Sequence, residues 1–302
     1  MPALINTPLE ARINFSVPPC EISEADKAKY LATYSAEDPV PTRESVIPLF
    51  DLREELESGF GGLSAEELLD ERGFAAAVHA SEHGTVENLS SVEGTEKYLE
   101  ESKELFRTLL GATKVIAWNS VIRANDESGI PDVKQTQQQK VEEAKPPSSH
   151  IKATAGFAHV DQDDVYARTI IKRAAGDDVF ERYSRLQIIN LWRPLRERVT
   201  NRPLAVSDFR TMNLEEDIFR MAGSYGTAYS VAHSPNQRWS YISHQKPSEV
   251  LMLRCYDSNM GKNGEALFSG HVACDVLNEP KLEGVKEVPR MSVEVRLIVL
   301  HE

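Results

Sequence analysis

Hydrophobic and polar positions follow a helical period in parts of the first half of the chain. Between residues 94 and 111 the leucines fall on one face of an amphipathic helix, and Gly111 ends it. Further upstream, Ser64 and Glu67 have capping-box spacing, and Gly73 provides a stop. The pattern therefore predicts two helices before residue 112.

In the second half of the chain, hydrophobic and polar positions alternate mainly with a period of two. Short β-rich runs with turn residues between them follow one another after residue 150. They are 183–192, 202–209, 226–233, 237–243, 249–258, 265–276 and 290–300. Two earlier runs, 46–53 and 113–123, also predict strands. Many short strands at roughly even spacing favour an antiparallel barrel or sandwich.

We expect one domain over residues 1–302, because helices can lie outside a barrel within a single core. Residues 1–123 would supply helices and strands that buttress the barrel, and residues 150–302 would form its core. Residues 124–149 have almost no apolar side chains. A stretch of this length and polarity predicts either a disordered linker or a functional lid, and both interpretations stay open.

Charge and cysteine content narrow the classes of function. The net charge of −13 argues against a nucleic-acid footprint and against docking on anionic membranes, so we expect a small-molecule substrate. Cys20, Cys255 and Cys274 form no CxxC pair, which favours a reducing compartment. The N-terminal residues lack a signal-peptide pattern and no apolar run could span a membrane, so the expected location is the cytoplasm. The oligomeric state is not readable from these features.

The first candidate for chemistry is the pair His159 and Asp161. Side chains two residues apart on a strand project to the same face. An imidazole and a carboxylate that point together supply two ligands of a 2-His-1-carboxylate facial triad, which binds Fe(II) and leaves positions open. A core histidine satisfied by a neighbouring carboxylate is the structural alternative.

The second candidate lies nearer the C-terminus. His271 stands in a β-rich run and would supply the missing imidazole, and Arg290 and Ser292 share one face of the last strand. A guanidinium binds a carboxylate through two parallel hydrogen bonds, and a hydroxyl two residues further can add another. Arg296 lies on the same face as Arg290 and is the competing candidate for that role.

The order HxD, His, RxS resembles that of the Fe(II)/2-oxoglutarate-dependent dioxygenases. Within that superfamily the chain is similar to the secondary-metabolite hydroxylase/desaturase family, which includes AsaB-type hydroxylases, gibberellin desaturase and CmcJ-like proteins. The matching stretches are 159–162, 189–195, 203–210, 237–243, 248–258 and 289–299. The chain departs from the family pattern around His271, where Gly-His-Val-Ala-Cys replaces Pro-His-Thr-Ala-Phe. The interval from His271 to Arg290 is also longer than usual.

This resemblance implies a mainly β fold with flanking helices, a double-stranded β-helix or jelly-roll barrel. It implies that His159, Asp161 and His271 hold Fe(II), and that Arg290 and Ser292 bind the distal carboxylate of 2-oxoglutarate. O2 would be the third reactant. The reaction would hydroxylate, desaturate or cyclise a small molecule and release succinate and CO2.

Two further residues and two other functions complete the expectations. Asn190 and Trp192 share a face of one strand and could line the 2-oxoglutarate end of the barrel, or belong simply to its core. His79, Glu82 and His83 match the H-x-x-E-H pattern of a zinc metallopeptidase, although the segment reads better as a strand and turn. A non-catalytic jelly-roll binding protein is the second alternative.

Overall fold

The computed structural model describes residues 9–31, 41–125, 151–223 and 226–302. The strands in these ranges are β1 (Leu9–Ser16), β2 (Thr42–Asp51), β3 (Phe74–Val78), β4 (Lys114–Ala124), β5 (His159–Val160), β6 (Arg185–Pro194), β7 (Leu204–Ser207), β8 (Ile218–Gly223), β9 (Gly226–Val231), β10 (Trp239–Tyr241), β11 (Glu249–Asp257), β12 (His271–Ala273), β13 (Asp275–Val276) and β14 (Met291–His301). The helices are α1 (Glu24–Leu31), α2 (Arg53–Glu57), α3 (Ala65–Arg72), α4 (Val92–Leu110), α5 (Asp164–Ala175) and α6 (Val179–Arg182).

These strands form two sheets. One has nine strands in the order β13-β1-β2-β10-β7-β12-β5-β9-β8, and the other has five in the order β3-β11-β6-β14-β4. Neighbouring named strands run antiparallel, except that β10 runs parallel to β2. Apart from the pairs β1–β2 and β8–β9, neighbouring strands are not consecutive in the chain, which crosses repeatedly from one sheet to the other. This is the jelly-roll arrangement that the sequence predicts.

The two sheets share one hydrophobic core. Leu204 and Val206 of the nine-stranded sheet belong to the same buried cluster as Trp192 and Leu253 of the five-stranded sheet. The opposite face of the five-stranded sheet is covered by α4, which buries Phe106 against it. The barrel interior therefore lies between the sheets, and the helical layer lies outside the smaller one.

The N-terminal part of the chain supplies strands to both sheets. β1 and β2 form an antiparallel pair within the nine-stranded sheet, and β3 and β4 are the two edges of the five-stranded sheet. These strands complete the sheets because β11 and β14 would otherwise expose unpaired backbone at an edge. Of the polar segment 124–149, residues from 126 onward lie outside the described residues.

The predicted helices near the N-terminus are confirmed. Ser64 accepts a hydrogen bond from the backbone of Glu67, whose side chain accepts from the Ser64 backbone, and α3 follows directly. α4 begins after Ser91, whose hydroxyl caps it, and ends at Gly111 in the left-handed region. None of the helices in the described ranges is long and apolar enough to cross a membrane.

Gly73 joins α3 to β3 at a point where no side chain fits. It has a φ of +84°, and a Cβ atom there would lie 2.2 Å from the carbonyl oxygen of Phe268. Its own carbonyl accepts from the backbone N–H of Arg254 on β11. The turn therefore needs both the left-handed conformation and the close approach of two backbone segments, and only glycine provides both.

We predict that Gly73→Ala lowers the free energy of unfolding by more than about 2 kcal/mol, because left-handed strain and overpacking add together. Gly61→Ala is the matched control. Gly61 also has a positive φ (+67°), but nothing lies within 4 Å of its hypothetical Cβ, so strain alone should cost about 1–2 kcal/mol. Denaturant unfolding of both variants measures the difference, and equal losses would contradict the steric argument.

Candidate metal centre

The structure brings His159, Asp161 and His271 together inside the barrel. One potential ligand atom from each residue lies within 4.8 Å of the others. The Asp161 Oδ1 atom is 3.5 Å from Nε2 of His159 and 4.0 Å from Nε2 of His271. The sequence prediction that these three side chains converge agrees with this geometry.

Strand pairing explains the convergence. β5 and β12 are antiparallel neighbours, and His159 pairs directly with His271 across them. Directly paired residues project to the same face, and the two imidazole centroids are 4.6 Å apart. Asp161 lies two residues after His159 and so returns to the same face.

Hydrogen bonds from the Nδ1 atoms orient both imidazoles. Nδ1 of His159 donates to the carbonyl of Phe157 at 2.8 Å, and Nδ1 of His271 donates to the carbonyl of Ser269 at 3.4 Å. A neutral imidazole with its hydrogen on Nδ1 presents a lone pair on Nε2. The two Nε2 atoms and Asp161 Oδ1 are then three electron-pair donors facing one another, an arrangement that a bound cation stabilises.

The local electrostatics hold these groups in the protonation states that a metal needs. Burial, together with the neighbouring His159 ring, lowers the pKa of His271 to about 4. Burial alone would raise the pKa of Asp161. The Arg296 guanidinium and the two histidines outweigh it and hold that pKa well below its usual range. Near neutral pH the site therefore offers a neutral His271 and an ionised carboxylate.

Asp161 also contacts the opposite sheet. Its Oδ2 atom accepts a hydrogen bond from Nδ2 of Asn190 on β6 at 2.6 Å and lies 3.0 Å from Nη2 of Arg296 on β14. Arg296 Nε in turn donates to Glu294 at 2.9 Å. The amide group of Asn190, expected at the 2-oxoglutarate end, thus binds the carboxylate of the metal centre.

Ser292 lies near the start of β14, and Arg290 directly precedes the strand. Arg290 is 3% exposed, and its guanidinium carbon is 5.4 Å from the ring centre of Trp192. One of its nitrogens donates to the carbonyl of Arg202. Within the described residues, Arg290 Nε and the buried hydroxyl of Ser292 have no hydrogen-bond partner. Burial, with Arg123 and Arg202 nearby, lowers the pKa of Arg290 to about 9. No carboxylate among the described residues pairs with Arg290.

The zinc-metallopeptidase alternative is not supported. β3 ends at Val78, and residues 79–84 are an irregular segment with a bend, not the helix that would place both histidines and the glutamate on one face. Nδ1 of His79 accepts a hydrogen bond from Arg193 at 2.7 Å. In the part of the chain that the structure describes, the only His/Cys/Asp/Glu group with metal-binding geometry is the one in the barrel.

Sequence reasoning missed the roles of Glu294 and Arg296 beside the metal centre. A signal for them was present, because residues 290, 292, 294 and 296 share one face of β14 and are all polar. The sequence did not contain the pairing register of β14 with β6. Arg296 pairs with Asn190, and Glu294 pairs with Trp192, which aligns this row with the Asp161 carboxylate.

Comparisons with known proteins show the family of the chain. A family model described as "Oxidoreductase/YMDC permease-like domain" matches residues 51–300. "Hydroxylase/desaturase CTB9" of Cercospora beticola is 30% identical over 262 residues, which cover 78% of this chain and 72% of that protein. "Aspirochlorine biosynthesis protein N" of Aspergillus oryzae is 35% identical over 126 residues, 39% of this chain. That alignment spans about half of the relative's length (49%).

A solved structure extends the likeness to the whole fold. The "iron and alpha-ketoglutarate-dependent endoperoxidase NvfI" superposes with a TM-score of 0.71 over 97% of both chains at 22% identity. Further relatives are named as alpha-ketoglutarate-dependent or Fe(II)/2-oxoglutarate-dependent dioxygenases. The chain belongs to the hydroxylase/desaturase family of Fe(II)/2-oxoglutarate-dependent oxygenases. This family consists of oxidoreductases that use Fe(II), 2-oxoglutarate and O2, and the expected jelly-roll fold is confirmed.

We predict that the protein binds one Co(II) or Fe(II) ion per chain under anaerobic conditions, and that His271→Ala weakens this binding by well over tenfold. Loss of a mere hydrogen-bond partner of a ligand commonly costs about 10- to 100-fold, and loss of a ligand should cost more. His79→Ala is the control and should bind like the unaltered protein. Titration calorimetry measures both, and metal binding lost only in the His79 variant would contradict the assignment.

Proposed function

We propose that this protein is an Fe(II)/2-oxoglutarate-dependent oxygenase that hydroxylates, desaturates or cyclises a small organic substrate and releases succinate and CO2. The observation that carries the proposal is one barrel interior that contains both a three-ligand cluster and, directly before β14, a buried arginine without a carboxylate partner among the described residues. The first feature suits a redox metal and the second suits a dicarboxylate. Either feature alone would be less specific.

The cluster fits Fe(II) by its donor set. Two imidazole nitrogens and one carboxylate oxygen on one side are the 2-His-1-carboxylate ligands of non-haem iron enzymes. We assign His159, Asp161 and His271 as the iron ligands. Bound Fe(II) would activate O2 and couple the oxidative decarboxylation of 2-oxoglutarate to oxidation of the substrate. The chain itself contributes the orientation of the ligands and a site shielded from water.

Arg290 fits the distal carboxylate of 2-oxoglutarate. A buried guanidinium without an anion is unfavourable, and its free Nε together with the free Ser292 hydroxyl offers adjacent donors to a ligand. Arg296 is the weaker candidate, because Asp161 and Glu294 already neutralise it. The Trp192 ring beside Arg290 would form one wall of this subsite.

Other features support the wider setting of this function. The core cluster joins residues from Leu52 to Val299, so we treat the whole chain as one oxygenase domain. Cys20, Cys255 and Cys274 are free thiols, which favours the cytoplasm as the compartment. The charge of −13 favours a small-molecule substrate over nucleic acid or an anionic membrane.

A turnover assay tests the proposal directly. With Fe(II), ascorbate and O2, the protein should convert 2-oxoglutarate to succinate slowly when no substrate is added. The conversion should be faster with any substrate found in a panel of polycyclic and polyketide-like metabolites. Asp161→Ala should abolish both rates while the protein remains folded. Succinate formation that persists in the Asp161 variant or with a strong chelator would contradict iron-dependent catalysis.

We predict that Arg290→Ala weakens 2-oxoglutarate binding to the metal-loaded protein by at least about thirtyfold. Truncating one partner of a buried charge pair costs about 2–5 kcal/mol, and ~1.4 kcal/mol corresponds to a factor of ten. Arg290→Lys should recover only part of the loss, because an ammonium cannot form two parallel hydrogen bonds.

Arg123→Ala is the control for this prediction. Arg123 is a neighbouring guanidinium that donates to the carbonyl of Ala153 at 2.9 Å, and it should contribute little to 2-oxoglutarate binding. Anaerobic titration of 2-oxoglutarate into the Fe(II) protein, followed by absorbance, measures all three dissociation constants. Equal losses in the Arg123 and Arg290 variants would indicate a diffuse basic surface instead of an anchor.

A further inference from the structure

The two oxygens of the Asp161 carboxylate have different surroundings. Oδ1 faces the Nε2 atoms of His159 and His271 at 3.5 and 4.0 Å. Oδ2 faces the other sheet, where it accepts from Asn190 Nδ2 at 2.6 Å and lies 3.0 Å from Arg296 Nη2. A carboxylate oxygen that accepts one hydrogen bond and also forms an ion pair with a guanidinium has little capacity left for a metal ion.

Arg296 is itself held in place. Its Nε donates to Glu294 on the same face of β14 at 2.9 Å, and the ring centre of Trp118 lies 5.9 Å from its guanidinium carbon. A register shift between Arg296 and Leu297 marks a β-bulge opposite β4 at this point. The guanidinium therefore bridges two carboxylates, and its orientation toward Asp161 is defined from both sides.

Asn190 reaches the same oxygen from the neighbouring strand. Asn190 pairs with Arg296 across β6 and β14, so both side chains arise at the same height in the barrel. Asn190 is completely buried, and its Nδ2 donor is used on Asp161. Two adjacent strands thus direct one polar side chain each at a single carboxylate oxygen, Asn190 through a hydrogen bond and Arg296 through an ion pair.

We propose that Arg296 and Asn190 are positioning residues that restrict Asp161 to binding the metal through Oδ1 alone. The inference rests on the proposed oxygenase function. A carboxylate that binds through both oxygens would occupy an additional coordination position, and 2-oxoglutarate and O2 need the positions opposite the three ligands. With Oδ2 committed to the opposite sheet, those positions stay available. Arg290, directly before β14, and Arg296, within it, then have separate tasks, since Arg290 serves the co-substrate and Arg296 serves a ligand.

The test uses Co(II) alone as the probe, without 2-oxoglutarate or turnover. The double variant Glu294→Gln/Arg296→Met removes one negative and one positive charge, so the net charge of the interior is unchanged. The Glu294 carboxylate, which Arg296 pairs with on β14, is then not left behind as an unpaired charge. We expect Co(II) affinity to fall by about 10- to 100-fold. We also expect the Co(II) absorption spectrum to change, because the second carboxylate oxygen becomes free to coordinate.

Arg193→Met is the matched control. Arg193 is a buried arginine on β6 that points away from the metal centre and binds the hydroxyl of Tyr98 at 3.0 Å. Its loss should reduce stability but leave the Co(II) affinity and spectrum unchanged. A double variant with the affinity and spectrum of the unaltered protein would overturn the proposal. Equal changes in the Arg193 variant would overturn it too, because they would reflect general loosening.

Asn190→Ala provides a second route if the double variant does not fold. It removes one of the two donors to Oδ2 and retains Arg296, so the spectrum should shift in the same direction with a smaller loss of affinity. An unchanged Co(II) spectrum in this variant would overturn the proposal. If the unaltered protein bound no Co(II), the metal centre itself would be refuted, a result distinct from failure of the positioning role alone.

Discussion

The Asp161 carboxylate links the two sheets of the barrel at the point where the chemistry is concentrated. It faces the histidines on β5 and β12, accepts a hydrogen bond from Asn190 of the other sheet and pairs with Arg296 there, all within a region largely removed from water. A buried charge is tolerated only when it is paired and hydrogen-bonded. The relative placement of β5, β6, β12 and β14 must therefore satisfy this one group, and the ligand geometry is a consequence of that placement.

The inner face of β14 shows how unevenly charge is balanced inside the barrel. Arg296 has Asp161 and Glu294 as partners, whereas Arg290 has a backbone carbonyl and an aromatic ring. The same residue type, at two positions six residues apart, is thus paired with carboxylates at one position and with none of the described carboxylates at the other. An interior that leaves one cation without an anion gains most from a ligand that brings a carboxylate.

Much of the fold could be predicted from periodicity, but its pairings could not. The capping box at Ser64, helix α4 and the long strands were readable because each depends on local spacing. Helix α5, although capped by Asp163, is not among the predicted elements, and β5 has only two residues and shows no period. The alternation of side chains along a strand predicts which of them share a face, and the shared face of His159 and Asp161 was predicted in this way. The contact of Arg296 with Asp161 depends on which strands face each other, which no local pattern contains.

The loop between β13 and β14 bears on how such proteins are detected and how they diversify. Most of residues 277–287 are exposed, and the loop begins and ends on strands that the sheets hold in place. Residues can be inserted there at little energetic cost, since closing a longer surface loop changes the free energy only slowly. The number of residues between His271 and Arg290 can therefore change during evolution while the distance between these two residues in space stays the same. A motif search that assumes a fixed interval would pass over this chain, whereas one that aligns the two strands would retain it.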